Sequence, residues 1–327
     1  MHHLKTVAKA VISIGLFSFL VYTSDPQQIL NILGNIYSNN GLIYFLLAVA
    51  TSILSVFLMS LRWKIILDHY NIKLRVSRLF GFYLVGLFFN NFLPTSIGGD
   101  IVRIYKVIGD SDERTASFSS VIIERLVGIA ATLFLSITSL YYVSHYFKDD
   151  RILYTSIILF SLIVVFFFLI TRNRPFEFLL KIFDKVTVLN IGEKINKLME
   201  AIHLLREKRR IFVWMFLLSV LAQIAIVFMN YAAVLALDIE VDLLYLFLVV
   251  PVTFMITMLP SINGVGLRDG GFVFLLGKIG VSGAAAISLS FMNVLIPMII
   301  SLWGALLFLI QRKKSNLNKV ENIEKDI

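Results

Sequence analysis

Of 327 residues, 58% are hydrophobic and only 16% charged, with a mean hydropathy of +0.85. A soluble chain averages roughly 45–50% apolar and about 25% charged residues, so water is excluded as the solvent for most of this surface and a lipid bilayer is implied. The net charge of +9 reads in such a chain as a topology signal rather than a nucleic-acid footprint, and the lack of cysteine excludes disulfides and thiolate–metal sites.

Eight apolar segments follow in chain order: 4–23, 41–60, 79–93, 117–143, 152–171, 211–237, 242–259 and 283–310. Crossing a hydrocarbon core of about 30 Å takes about 20 helical residues. Segments 79–93 and 242–259 fall short and end at Pro94 and Pro260. Between the fifth and sixth segments, Pro175 can open a helix. Phe176, Leu179, Leu180 and Phe183, then Ile191, Ile195, Leu198, Ile202 and Leu205, recur at helical spacing, so 175–209 reads as amphipathic helices on the cytoplasmic membrane surface.

Basic residues decide between two topologies. If all eight segments span, Lys and Arg divide evenly between the two sides. If the two short segments enter and leave on one side, 25 of the 30 fall on the side of both termini. Cytoplasmic loops carry the Lys/Arg excess. The expected fold is therefore an all-α integral membrane protein with six transmembrane helices and two opposed re-entrant hairpins, both termini cytoplasmic, in the cell membrane.

The hairpins, 79–109 and 242–281, take corresponding places in two halves, 1–150 and 151–327, of opposite orientation. Their turns are alike: Leu93-Pro94-Thr95-Ser96-Ile97-Gly98-Gly99-Asp100 and Leu259-Pro260-Ser261-Ile262-Asn263-Gly264-Val265-Gly266. Inverted repeats with Gly/Pro-broken helices in matching places are a transporter design, with the binding site where the breaks meet.

Broken helices free backbone groups that must line a protein-walled or wet cavity. Pro94, Gly98, Gly99, Pro260, Gly264 and Gly266 mark those turns. Each is followed by an arginine beside a helix start, Arg103 after Asp100 and Arg268 before Asp269, which suits a phosphate. Glu124 and Arg125 lie within the span 117–143, where ionisable groups face the interior. Adjacent helical residues point about 100° apart, so these two need different partners, Glu124 being suited to a hairpin arginine. Asn91 and Asn263 complete the expected substrate-binding set. Arg62, Trp63 and Lys64 read as an anchor at headgroup level. No nucleotide loop, metal cluster or catalytic nucleophile motif is read, and no cofactor is expected.

Asn91-Phe92-Leu93-Pro94 through Gly98-Gly99-Asp100 and Arg103, then Glu124-Arg125 with Gly128, then Leu259-Pro260 through Gly264, Gly266 and Arg268, resemble the flippase-like family that includes the membrane domain of lysylphosphatidylglycerol synthetase. The resemblance covers nearly the whole chain. It departs at Arg268-Asp269, where Arg followed by Glu would be expected. It implies movement of a polar-headed phospho- or glycolipid between leaflets by a transporter, not an enzyme. The phosphate would be held by Arg103, Arg125 and Arg268, and the acids Asp100, Glu124 and Asp269 would position those arginines or meet a cationic headgroup. Two alternatives stand beside it: an intramembrane enzyme acting on a lipid phosphate, and a scaffold docking a lipid-modifying enzyme through 175–209. A membrane lipid is the expected partner, with self-association left open.

Overall fold

The structure is a computed structural model that describes residues 15–38, 40–92, 98–143, 209–257 and 264–325. After a helical stretch at 15–23 come α1 (Pro26–Gly34), α2 (Gly41–His69), α3 (Val76–Phe92), α4 (Gly98–Ser111) and α5 (Arg114–Val143). The second half holds α6 (Arg209–Ala236), α7 (Leu243–Ile256), α8 (Leu267–Gly277) and α9 (Gly283–Lys325). The protein is all-α among the described residues.

Four helices are long and apolar enough to cross a membrane: α2, the 114–140 part of α5, the 210–236 part of α6 and the 283–310 part of α9. They match four of the six expected spans. The first expected span is described only over 15–23, and 152–171 lies outside the described residues, as does all of 175–209 except Arg209, which opens α6. Helices α3, α4, α7 and α8 have 17, 14, 14 and 11 residues. At about 1.5 Å per residue none reaches about 30 Å.

The short helices form two hairpins. Arg78, at the start of α3, binds Asp110, near the end of α4, at 2.6 Å. Tyr245, at the start of α7, donates to the Leu275 carbonyl near the end of α8 at 2.7 Å. The first hairpin closes tightly: Gly99 N donates to the Asn90 side-chain Oδ1 at 2.7 Å, and a Cβ on Gly99 would strike the Gly86 carbonyl. In the second, Gly264 and Gly266 take φ of 76° and 82°, which favours glycine.

Packing relates the two halves reciprocally. Helices α2 and α6 share the most extensive interface. Helix α3 lies on α9, and α7 lies on α5, so each hairpin rests on the long helix that follows the other hairpin. The α3–α9 approach is close enough that a Cβ on Gly304 would meet the Leu84 backbone. Pro251 lies inside α7 and cannot donate to Phe247 O four residues earlier. Ser139 on α5 donates to that carbonyl at 2.9 Å instead. A carbonyl that hydrocarbon would leave unpaired thereby fixes α7 against α5.

Candidate functional site

Charged side chains gather where α2, α4 and α5 meet. Glu124, on α5, is 1% exposed and accepts from two arginines. Arg62 Nη2 donates to its Oε1 at 2.6 Å, and Arg103 Nη2 donates to its Oε2. Arg62 Nη1 also donates to Ser219 Oγ on α6 at 2.7 Å. Arg103 Nη1 lies 3.5 Å from Asp100 Oδ1 one turn earlier. Arg125 Nε donates to Asp100 Oδ2 at 2.5 Å. Glu124 and Arg125 thus diverge to different partners, and both tie α5 to the hairpin helix α4.

Three neighbouring features allow this cluster. The Arg103 guanidinium lies 3.6 Å from the Tyr83 ring centroid and 4.1 Å from that of Trp63, a double cation–π contact. Trp63 is held in place by its Nε1 donating to Ser120 Oγ at 3.0 Å. Glycines make room: a Cβ on Gly86 would stand 2.9 Å from Arg103 Cγ and Cδ, and one on Gly128 would stand 3.2 Å from Arg62 Nη1. Three arginines thus meet two carboxylates here, and Arg62 Nε and Arg103 Nε are buried without a hydrogen bond.

A second polar group forms at the start of α8. Asp269 accepts from Gly266 N at 2.8 Å, from Arg268 Nη2 at 2.8 Å and from Ser290 Oγ. Arg268 Nε donates to Ser290 Oγ at 3.1 Å. Asp269 is 1% exposed and Arg268 8%. The carboxylate is a strut that caps α8 and holds the arginine to α9.

Between the hairpins lies a cavity of about 280 Å³. Helix α2 contributes Ser52 and Ser55, α3 contributes Asn90 and Asn91, and α7 contributes Thr253 and Thr257. Arg268 and Phe272 come from α8, and Asn293 and Pro297 from α9. Asn91 Nδ2 donates to Ser301 Oγ at 3.2 Å, joining the first hairpin to α9. Asn293 Nδ2 donates to Asn230 Oδ1 on α6 at 2.7 Å.

The expected site residues thus fall into two groups. Asp100, Arg103, Glu124 and Arg125 meet in the charged cluster. Arg268 and Asn91 line the cavity, which Arg103 and Arg125 do not. Gly98 and Gly99 open α4, and Gly264 and Gly266 precede α8. Pro94, Pro260 and Asn263 lie outside the described residues.

Sequence reasoning misassigned Arg62 and Trp63. They are not an interfacial anchor: Arg62 is 7% exposed and Trp63 is fully buried. The missed signal was Ile65-Ile66-Leu67, which continues the apolar pattern beyond them and carries α2 to His69. Only Lys64, paired with Asp68 at 2.7 Å, stands partly exposed as expected. Asn230, Asn293, Ser219 and Ser290 were also missed. Their signal is a polar side chain inside an otherwise apolar span.

A family profile described as the lysylphosphatidylglycerol synthase TM region matches residues 6–304. A curated UPF0104 membrane protein of Methanocaldococcus jannaschii is 32% identical over 134 residues, which is 40% of each chain. No solved structure matches. The profile covers both hairpins, the charged cluster and the cavity, and the chain belongs to the family of the lysylphosphatidylglycerol synthase transmembrane region.

Proposed function

We propose that this protein is a lipid transporter of flippase type, which passes a polar headgroup through the cavity between its hairpins while the acyl tails stay in the bilayer. One observation carries the reading. A single cavity is walled by α3 of the first hairpin and by α7 and α8 of the second, at the middle of the long helices, with a buried arginine in its wall. The wall is mostly apolar, and a buried guanidinium set in such a space at membrane depth calls for a polar group to meet it.

The rest of the proposed architecture follows. The two hairpins are re-entrant from opposite faces, since their helices are too short to span. Residues 1–150 and 151–327 are inverted repeats, a relation supported by reciprocal packing of each hairpin on the other half's long helix. Six spans result, two of them drawn from segments 4–23 and 152–171, with both termini on the cytoplasmic side. Arg268 binds the headgroup phosphate. The Glu124 cluster holds the first hairpin to α2 and α5, and its rearrangement is the step that opens the cavity to one leaflet.

The test is lipid movement in proteoliposomes. Wild-type protein should speed the exchange of a fluorescent phospholipid between leaflets well above protein-free vesicles, and Arg268→Ala should return it to background. Wild-type rates equal to those of empty vesicles, for phospholipids and polyprenyl lipids alike, would overturn the reading.

A further inference from the structure

The charged cluster and the cavity contain a matched pair of positions. Arg62 lies about two turns before the end of α2 at His69, and Asn230 about two turns before the end of α6 at Ala236. Glu124 is the eleventh residue of α5, and Asn293 is the eleventh of α9. Each pair bridges its two helices by a hydrogen bond, at 2.6 Å for Arg62 with Glu124 and 2.7 Å for Asn293 with Asn230. The first half carries the ionic version of the bridge, away from the cavity. The second half carries a neutral version, and Asn293 faces the cavity. The cavity wall therefore has an amide where the other half has an acid.

The remaining wall follows the same rule. Among the described residues lining the cavity, Arg268 is the one ionised side chain. The sequence over 93–97 and 258–263, between the paired helices, contains no Asp, Glu, Lys or Arg. Asp269 is not available to a ligand, because both its oxygens are taken by Gly266 N, Arg268 and Ser290. Arg268 spends Nε and Nη2 on Ser290 and Asp269, and its Nη1 makes no hydrogen bond to any described residue. A guanidinium 8% exposed thus keeps donors for an anion in the cavity.

Of the neutral polar groups, most offer acceptors, and Asn90, whose Oδ1 is taken by Gly99 N, offers its Nδ2. Ser55 and Thr253 donate their hydroxyl protons to helix carbonyls, which leaves oxygen lone pairs toward the cavity. Asn293 uses Nδ2 on Asn230 Oδ1 and Leu289 O, which leaves its Oδ1. Pro297 lacks the N–H that would close on the Asn293 carbonyl. One guanidinium that keeps donors for an anion, with uncharged hydroxyl and amide groups set around it in an apolar wall, matches a phosphodiester that carries hydroxyl groups. This set does not match an ammonium group, which would enter a low-dielectric space already holding a positive charge and find no carboxylate.

We propose that the cavity selects lipid phosphodiesters whose remaining headgroup is uncharged and rich in hydroxyls, glycerol or a sugar, and rejects cationic aminoacyl headgroups. This rests on the transport reading above and assigns its substrate class. Selection arises from the neutral Asn230–Asn293 bridge, and an acid placed at Asn293 reverses it.

The experiment compares four tail-labelled lipids in proteoliposomes of wild-type protein: phosphatidylglycerol, its lysyl ester, phosphatidylethanolamine and a polyprenyl-phosphoryl hexose. Phosphatidylglycerol or the hexose lipid should exchange at least tenfold faster than the lysyl ester, and the faster of the two identifies glycerol or sugar as the headgroup. Asn293→Asp should shrink that preference at least tenfold by speeding the lysyl ester. In parallel, the midpoint of thermal unfolding in detergent is read with each lipid added. The preferred lipid should raise it in wild type, less in Arg268→Gln, and the lysyl ester should not raise it. Those midpoints require no variant to fold well. Selective binding without exchange would keep the substrate class and remove the transport reading. Exchange of the lysyl ester as fast as phosphatidylglycerol and the hexose lipid would overturn the class and leave transport standing, and equal binding of all four lipids would overturn the class by itself.

Discussion

Glu124 accepts a hydrogen bond from Arg62 on one oxygen and from Arg103 on the other, so one buried carboxylate joins α2, α4 and α5. Two guanidiniums depend on it. Glu124→Gln leaves both buried with a neutral partner, and breaking such a pair costs about 3–5 kcal/mol. Thermal unfolding in detergent should show a loss of that size. Asp100→Asn should lose less, because its partner Arg125 keeps 44% of its side chain exposed.

Arg103 contacts both Trp63 and Tyr83, whose rings meet edge to face, and a lysine reproduces its charge but not its planar guanidinium or its two-sided reach to Glu124 and Asp100. Arg103→Lys should therefore destabilise by about 1–2 kcal/mol, the value of a desolvated cation–π contact. Tyr83→Leu should lose a similar amount in wild type and little more in the Arg103→Lys background. A double-mutant cycle on unfolding midpoints measures the coupling.

Ser139 donates to the carbonyl that Pro251 leaves without its helix partner. Ser139→Ala should cost about 1–2 kcal/mol for an unsatisfied buried acceptor. Pro251→Ala restores an N–H four residues after Phe247, so the same serine change should cost clearly less in that background. Additive losses in the cycle would contradict this account.

Glycine positions separate packing from propensity. Gly304→Ala places a Cβ into the Leu84 backbone, and Gly86→Ala crowds the stem of Arg103. Both should lower stability, Gly304→Ala by more than about 3 kcal/mol, since backbone cannot move aside as a side chain can and overpacking costs about 1–3 kcal/mol. A Cβ added at Gly109 would meet nothing within 4 Å. Gly109→Ala should stabilise α4 by up to about 1 kcal/mol through helix propensity.

Because the chain has no native cysteine, single-cysteine labelling reads topology directly. Lys73→Cys and Glu113→Cys flank the first hairpin, and Glu240→Cys and Lys278→Cys flank the second; all four positions are exposed. The re-entrant arrangement expects the first two to label from one side of the membrane and the second two from the other. Labelling of Lys73→Cys and Glu113→Cys from opposite sides would mean that the chain crosses the membrane once between them and would overturn the re-entrant first hairpin.

The sequence by itself determined the solvent, the number of apolar segments and the two broken helices, because a bilayer imposes a length of about 20 residues on any span. It also determined that Glu124 and Arg125 need separate partners, since helical geometry turns adjacent residues apart. It did not determine that Arg62 and Trp63 lie inside the protein. Their partners on α3, α4, α5 and α6 come from segments that are distant in the chain. Only the tertiary structure separated Arg268 at the cavity from Arg103 and Arg125 in the cluster. All three look alike as arginines beside acids. Which of them keeps donors free for a ligand depends on which carboxylate oxygens packing brings within reach.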